Sequence, residues 1–195
     1  MINSERVERF ITKSGYEYKS DTTSIKIKAN YTFGLFLRKI YLINENGDCL
    51  YSFKQEDFIK KLLYNLVYLF YRNTTIPVYI LYKNNVKIGG TGYYKDDILP
   101  IKTTEFNINL VLINSKKNYI IKLVEDDSVI AEITKSRLRY GKKNIYNVIC
   151  NNWGYDKELL LLLTALCDVV FFPEWPLLKW SAIEYDLTME IKWFT

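Results

Sequence analysis

The chain has 195 residues, 49% hydrophobic and 25% charged, with a formal charge of +5. That is enough apolar content for one substantial core, it excludes wholesale disorder, and no Pro/Gly/Ser-rich linker divides the chain. The lysines are scattered among acids, and there is no zinc finger, RNA-recognition sheet motif or basic recognition helix, so no nucleic acid is expected as partner.

In chain order, an amphipathic stretch around Ser4 to Lys13 reads as a short amino-terminal helix, with residues 1–24 as a lead-in. The apolar period then becomes two. Ile25, Ile27, Ala29, Tyr31 and Phe33 alternate with polar neighbours, and Lys39 to Ile43 turns at Asn44-Glu45-Asn46-Gly47 into Cys49 to Phe53. Val78 to Tyr82 turns at Asn84-Asn85 into Val86 to Ile88. Phe106 to Ile113 is followed by Tyr119 to Val124, which turns at Glu125-Asp126-Asp127-Ser128 into Val129 to Thr134, and Asn144 to Cys150 is a last strand. Many short strands at this spacing argue for an antiparallel sandwich or barrel.

Glu56 to Arg72 breaks the alternation. Phe58, Ile59, Leu62, Leu63, Leu66, Val67, Leu69 and Phe70 fall on one half of a helix. The other half carries Lys60, Lys61, Tyr64, Asn65, Tyr68, Tyr71 and Arg72, a basic-aromatic face suited to a membrane interface or an acidic partner, or simply a solvated face of a helix packed on the wall.

The block from Tyr155 to Pro173 is a helix apolar on every face. Asp156 is placed to cap its first turn, Tyr155 and Leu160 are spaced as a hydrophobic staple, and Pro173 stops it. It is shorter than the roughly 20 apolar residues of a bilayer span, and it carries Asp168. It is therefore read as a core helix, with Asp168 held by a structural hydrogen bond near its end. Residues 174–195 form a Trp-rich extension, with Trp175, Lys179 and Trp180 ahead of an alternating strand from Ile183 to Trp193.

Chemistry-bearing patterns are few. The chain has no histidine, which removes the Ser-His-Asp and Cys-His systems and His-bearing metal sites. Ile88-Gly89-Gly90-Thr91-Gly92 lacks the GxxxxGK[ST] that a phosphate loop needs and reads as a tight strand turn or bulge. Asp96-Asp97 and Glu125-Asp126-Asp127 read as hairpin turns rather than cation sites. No catalytic, cofactor-binding or metal-binding residue is assigned, and no cofactor is expected. Cys49, Cys150 and Cys167, odd in number and widely spaced, and an amino terminus without a signal pattern, point to the cytoplasm.

Hairpins ending in one wholly apolar helix resemble the tubby C-terminal-like superfamily, which includes the LURP-one-related proteins, the phospholipid scramblases and small bacterial relatives. Lys39-Ile40-Tyr41-Leu42-Ile43 before Gly47-Asp48, Pro77-Val78-Tyr79-Ile80 before Ile88-Gly89, Val129-Ile130-Ala131-Glu132-Ile133, and Tyr146-Asn147-Val148-Ile149 before the helix follow that family's order. The resemblance covers Ile25 to Pro173. It implies a mainly β protein: an antiparallel barrel of about twelve strands over residues 25–173 wound around the central hydrophobic helix, here with one amphipathic helix and an extra carboxy-terminal strand added. Phosphoinositide binding is a family property for which no matching Lys/Arg cluster is found here.

The expected function is that of a non-enzymatic binding protein with a protein or an anionic lipid headgroup as partner, and peripheral membrane association open. A bacterial immunity or phage counter-defence protein that neutralises another protein is the alternative, and a carboxylate-dependent enzyme a more distant one. The candidate partner surface comprises Lys60, Lys61, Tyr64, Tyr68, Tyr71, Arg72, Trp175, Lys179 and Trp180.

Overall fold

A computed structural model describes residues 3–12, 15–21, 26–32, 36–55, 79–92, 96–115, 118–136 and 144–172. Twelve strands form one closed antiparallel barrel in which each strand pairs with its neighbours in sequence. They are β1 (Asn3–Thr12), β2 (Gly15–Ser20), β3 (Lys26–Thr32), β4 (Phe36–Ile43), β5 (Cys49–Gln55), β6 (Tyr79–Lys83), β7 (Val86–Thr91), β8 (Ile98–Thr103), β9 (Asn107–Asn114), β10 (Asn118–Glu125), β11 (Ser128–Ser136) and β12 (Asn144–Cys150). The ring is sealed by β1 against β12, in register from Asn3 opposite Cys150 to Arg9 opposite Asn144.

The amino-terminal segment corrects the sequence expectation: it is two barrel strands, not a helix, so the barrel begins at residue 3 rather than 25. The physical reason lies in its inward positions. Glu5, Val7 and Arg9 are the buried set on β1, alternating with the more exposed Ser4, Arg6 and Glu8. Two of those three inward residues are charged, so the period of two does not show as an apolar alternation. Strand β8 is likewise not apparent from the letters, because its inward pair, Leu99 and Ile101, brackets Pro100.

The turns follow their residue types. Asn84-Asn85 and Asp126-Asp127 have positive φ at both positions (49° and 65°, 45° and 61°), the conformation of a two-residue hairpin that Asn and Asp tolerate. Asp96-Asp97 shares that backbone (51° and 61°). In β7, Leu81 opposes Gly89 whereas Tyr82 opposes Lys87, so Ile88 is the extra residue of a bulge. The neighbouring backbones close in on the two glycines beside it: a Cβ on Gly89 would lie 2.1 Å from the Lys102 carbonyl oxygen, and one on Gly90 2.5 Å from that of Tyr79.

Helix α1 (Lys157–Phe171) is buried at every position from Leu159 to Asp168 and again at Val170. No single side of it faces solvent, and its side chains share one core with inward residues such as Tyr18, Ile40, Phe53, Leu81, Ile121 and Val148. The barrel thus encloses the helix, which replaces the lumen with packed side chains. The expected Glu56 to Arg72 helix and the strand after Pro173 lie outside the described residues.

Candidate functional site

Two polar networks tie α1 into the barrel. The deeper one is centred on Asp168, fully buried near the end of the helix. Its carboxylate accepts from Arg9 Nη1, at 3.1 Å to Oδ1 and 2.9 Å to Oδ2, from the Tyr18 hydroxyl at 2.6 Å, and from the Tyr146 hydroxyl. The Arg9 guanidinium stands 4.5 Å from the centre of the Tyr16 ring. Strands β1, β2 and β12 therefore each supply one ligand to the same carboxylate, which fixes how the helix is rotated and how deep it sits across the β1/β12 seam. Asp168 holds the structural hydrogen bonds expected of it near the helix end.

A carboxylate offers about four lone-pair positions. Arg9, Tyr18 and Tyr146 occupy that capacity in a site closed to solvent. Charge and acceptor are thus spent on holding the fold, since a buried charge without partners costs several kcal/mol.

The second network joins the start of the helix to the barrel rim. Asp156 stands at the N-cap, but its side chain makes no capping bond; the expected cap is corrected. Its Oδ2 accepts from the Tyr51 hydroxyl at 2.5 Å and lies 3.8 Å from Lys83 Nζ, which is bound to Glu105 at 3.0 Å. Rim partners outcompeted the helix amides for this carboxylate. Alongside, the Tyr155 hydroxyl donates to Glu125, its ring packs on Phe106 and Trp153, and Lys157 pairs with the buried Glu5 at 3.3 Å.

These environments alter acidity. Burial, and then the neighbouring Asp168 charge, push the Tyr18 phenol well up, and burial alone does so for Tyr79. Tyr51 rises to about 12 through burial and its bond to Asp156, and Tyr155 to about 12 through burial and Glu125. Burial also raises the Cys167 thiol, which keeps it protonated and inert.

A pH dependence follows. In the unfolded chain these phenols ionise near pH 10, while in the folded chain they keep their protons to higher pH. Above that point the unfolded state binds fewer protons, so stability is full below pH 10 and falls as pH rises toward and past 12. Each of Tyr18 and Tyr79 takes away about 1.4 kcal/mol per pH unit in that window. Urea midpoints measured from pH 8 to 12 are expected to be flat as far as tyrosine is concerned up to about 10 and to drop beyond it. Phenolate absorbance that titrates like free tyrosine in the still-folded protein would contradict the buried set.

The predicted surface residues Lys60, Lys61, Tyr64, Tyr68, Tyr71, Arg72, Trp175, Lys179 and Trp180 all lie outside the described residues. No three His, Cys, Asp or Glu side chains among the described residues are grouped to hold a metal, and Asp96-Asp97 and Asp126-Asp127 are turns. Sequence reasoning singled out Asp168 and missed its partners. Arg9, Tyr18 and Tyr146 carried no shared motif, being brought to it by three separate strands. No family model, curated protein or solved structure matches the chain.

Proposed function

We propose that this chain is a non-enzymatic, cytoplasmic binding protein of tubby-like architecture that acts through a protein or anionic-lipid partner. The observation that carries this reading is the occupied interior: α1 takes the place where another barrel would hold a ligand, and its buried carboxylate is engaged by Arg9, Tyr18 and Tyr146. Recognition then falls to the outside. Closure of the barrel leaves no free edge among the described strands, so a partner that meets the barrel wall is held by side chains. A closed barrel around an apolar carboxy-terminal helix is also what the tubby-like resemblance implies. The three cysteines are free, in keeping with a reducing compartment, and no helix among the described residues is long and apolar enough to cross a membrane.

Two assays on the intact chain test the reading. Affinity capture from its own cells is expected to return a stoichiometric protein, or liposome sedimentation to depend on acidic lipid. Failure of both at low and at physiological salt would sink it.

A further inference from the structure

Charge is divided unevenly around the barrel. Strands β3 to β9, seven consecutive neighbours, contain no Asp or Glu but eight Lys or Arg, two from each of β3 and β4 and one from each of β5 to β8. The other five strands carry five acids and five bases. In the chain between β3 and β9, the acids of the described residues, Glu45, Asp48, Asp96, Asp97 and Glu105, sit in turns at the barrel ends.

On this wall the outward positions form rows. Lys28, Tyr41, Ser52 and Tyr82 stand side by side on β3, β4, β5 and β6, and the next row runs Asn30, Lys39, Lys54, Ile80; Ser52 is buried between its larger neighbours and the others are half-buried. Lys39 and Lys54 are directly opposed, an arrangement that costs stability for like charges. Neither has an acid within ion-pair reach among the described residues. Each ammonium instead lies over a ring, Lys39 at 4.8 Å from the centre of Tyr41 and Lys54 at 4.3 Å from that of Tyr82. Lys87 and Lys102, both exposed, continue the positive surface on β7 and β8.

We propose that the outer wall of β3–β8, centred on Lys39 and Lys54, is the docking surface for an acidic polypeptide. This deepens the binding-protein reading and rests on it. A surface that is basic without compensating acids among the described residues, and that keeps two lysines opposed at a cost, is complementary to a dense negative partner. Curvature favours a polypeptide over a bilayer. Twelve strands around a closed barrel turn the surface by about 30° per strand, so β3 to β8 sweep about 150°. A flat membrane meets a few neighbouring strands, whereas a polypeptide can follow the bend. Among the described residues the exposed large apolar side chains, Val86, Ile98 and Ile113, stand outside the two rows, whose one aliphatic member, Ile80, is half-buried. Single-stranded nucleic acid would need open ring faces for stacking, and on Tyr41 and Tyr82 one face is already taken by a lysine.

The test uses the full chain and a fluorescent poly-L-glutamate peptide, with phosphatidylserine vesicles and an oligonucleotide of equal charge as parallel probes. The peptide is expected to bind in a salt-dependent manner and more tightly than either other probe. Lys54→Glu should weaken it by about tenfold while leaving the melting temperature unchanged or raised, because the glutamate faces Lys39. Lys122→Glu, on the balanced side, should leave binding within about twofold. Absence of peptide binding at low salt, indifference to Lys54→Glu, or preference for vesicles or oligonucleotide would overturn the proposal. If capture from cells returns a protein that binds the Lys54→Glu chain equally well, this surface is overturned and the binding-protein reading stands.

Discussion

Replacing Leu163 with lysine is expected to abolish soluble folding. Leu163 is fully buried in the middle of α1, with buried helix residues on both sides along the chain and barrel side chains around it. The substitution removes about 1.5–3 kcal/mol of burial and places an ammonium where the helix core offers no partner, costing several kcal/mol more. Against a total stability of about 5–15 kcal/mol, little is left. Val86→Lys is the control: Val86 is 65% exposed at a hairpin, and its change should shift stability by less than about 0.5 kcal/mol. Expression, solubility and a thermal melt of both variants decide the matter. A soluble, cooperatively melting Leu163→Lys protein would refute the enclosed helix.

Arg9→Met is expected to be nearly as damaging, by about 3–5 kcal/mol, because it leaves the Asp168 carboxylate buried without its cation. The diagnostic result is partial rescue. In Arg9→Met/Asp168→Asn the charge is gone, and the amide oxygen can still accept from Tyr18 or Tyr146, so the double variant should be more stable than Arg9→Met alone. Denaturant unfolding of the two singles and the double measures that coupling. Additive losses would mean that Arg9 stabilises the seam independently of Asp168.

Both outcomes turn on one arrangement, a helix seated by polar ties inside a sealed barrel. The helix itself was legible because an apolar run ended by Pro173 has few other readings. Most strands were legible for a similar reason: where inward positions are Ile, Leu, Tyr or Phe, as in β4, β5 and β9, alternation is visible in the letters. The hairpins at Asn84-Asn85 and Asp126-Asp127 were legible because few residues accept positive φ.

By itself, then, the sequence determined the β class, the buried helix and the principal turns, since each depends on neighbours along the chain. Tertiary structure decided what depends on neighbours across it. It made barrel strands of a segment with charged inward residues, because Glu5 meets Lys157 and Arg9 meets Asp168 only once the helix is in place. It took Asp156 from the helix cap to Tyr51 and Lys83, since a phenol and an ammonium at the rim compete for the same carboxylate. It also gave the scattered lysines a side. Between β3 and β9 the acids of the described residues sit in turns at the barrel ends while the lysines stand on the strands, so that on this part of the wall charges mixed in sequence become separated in space.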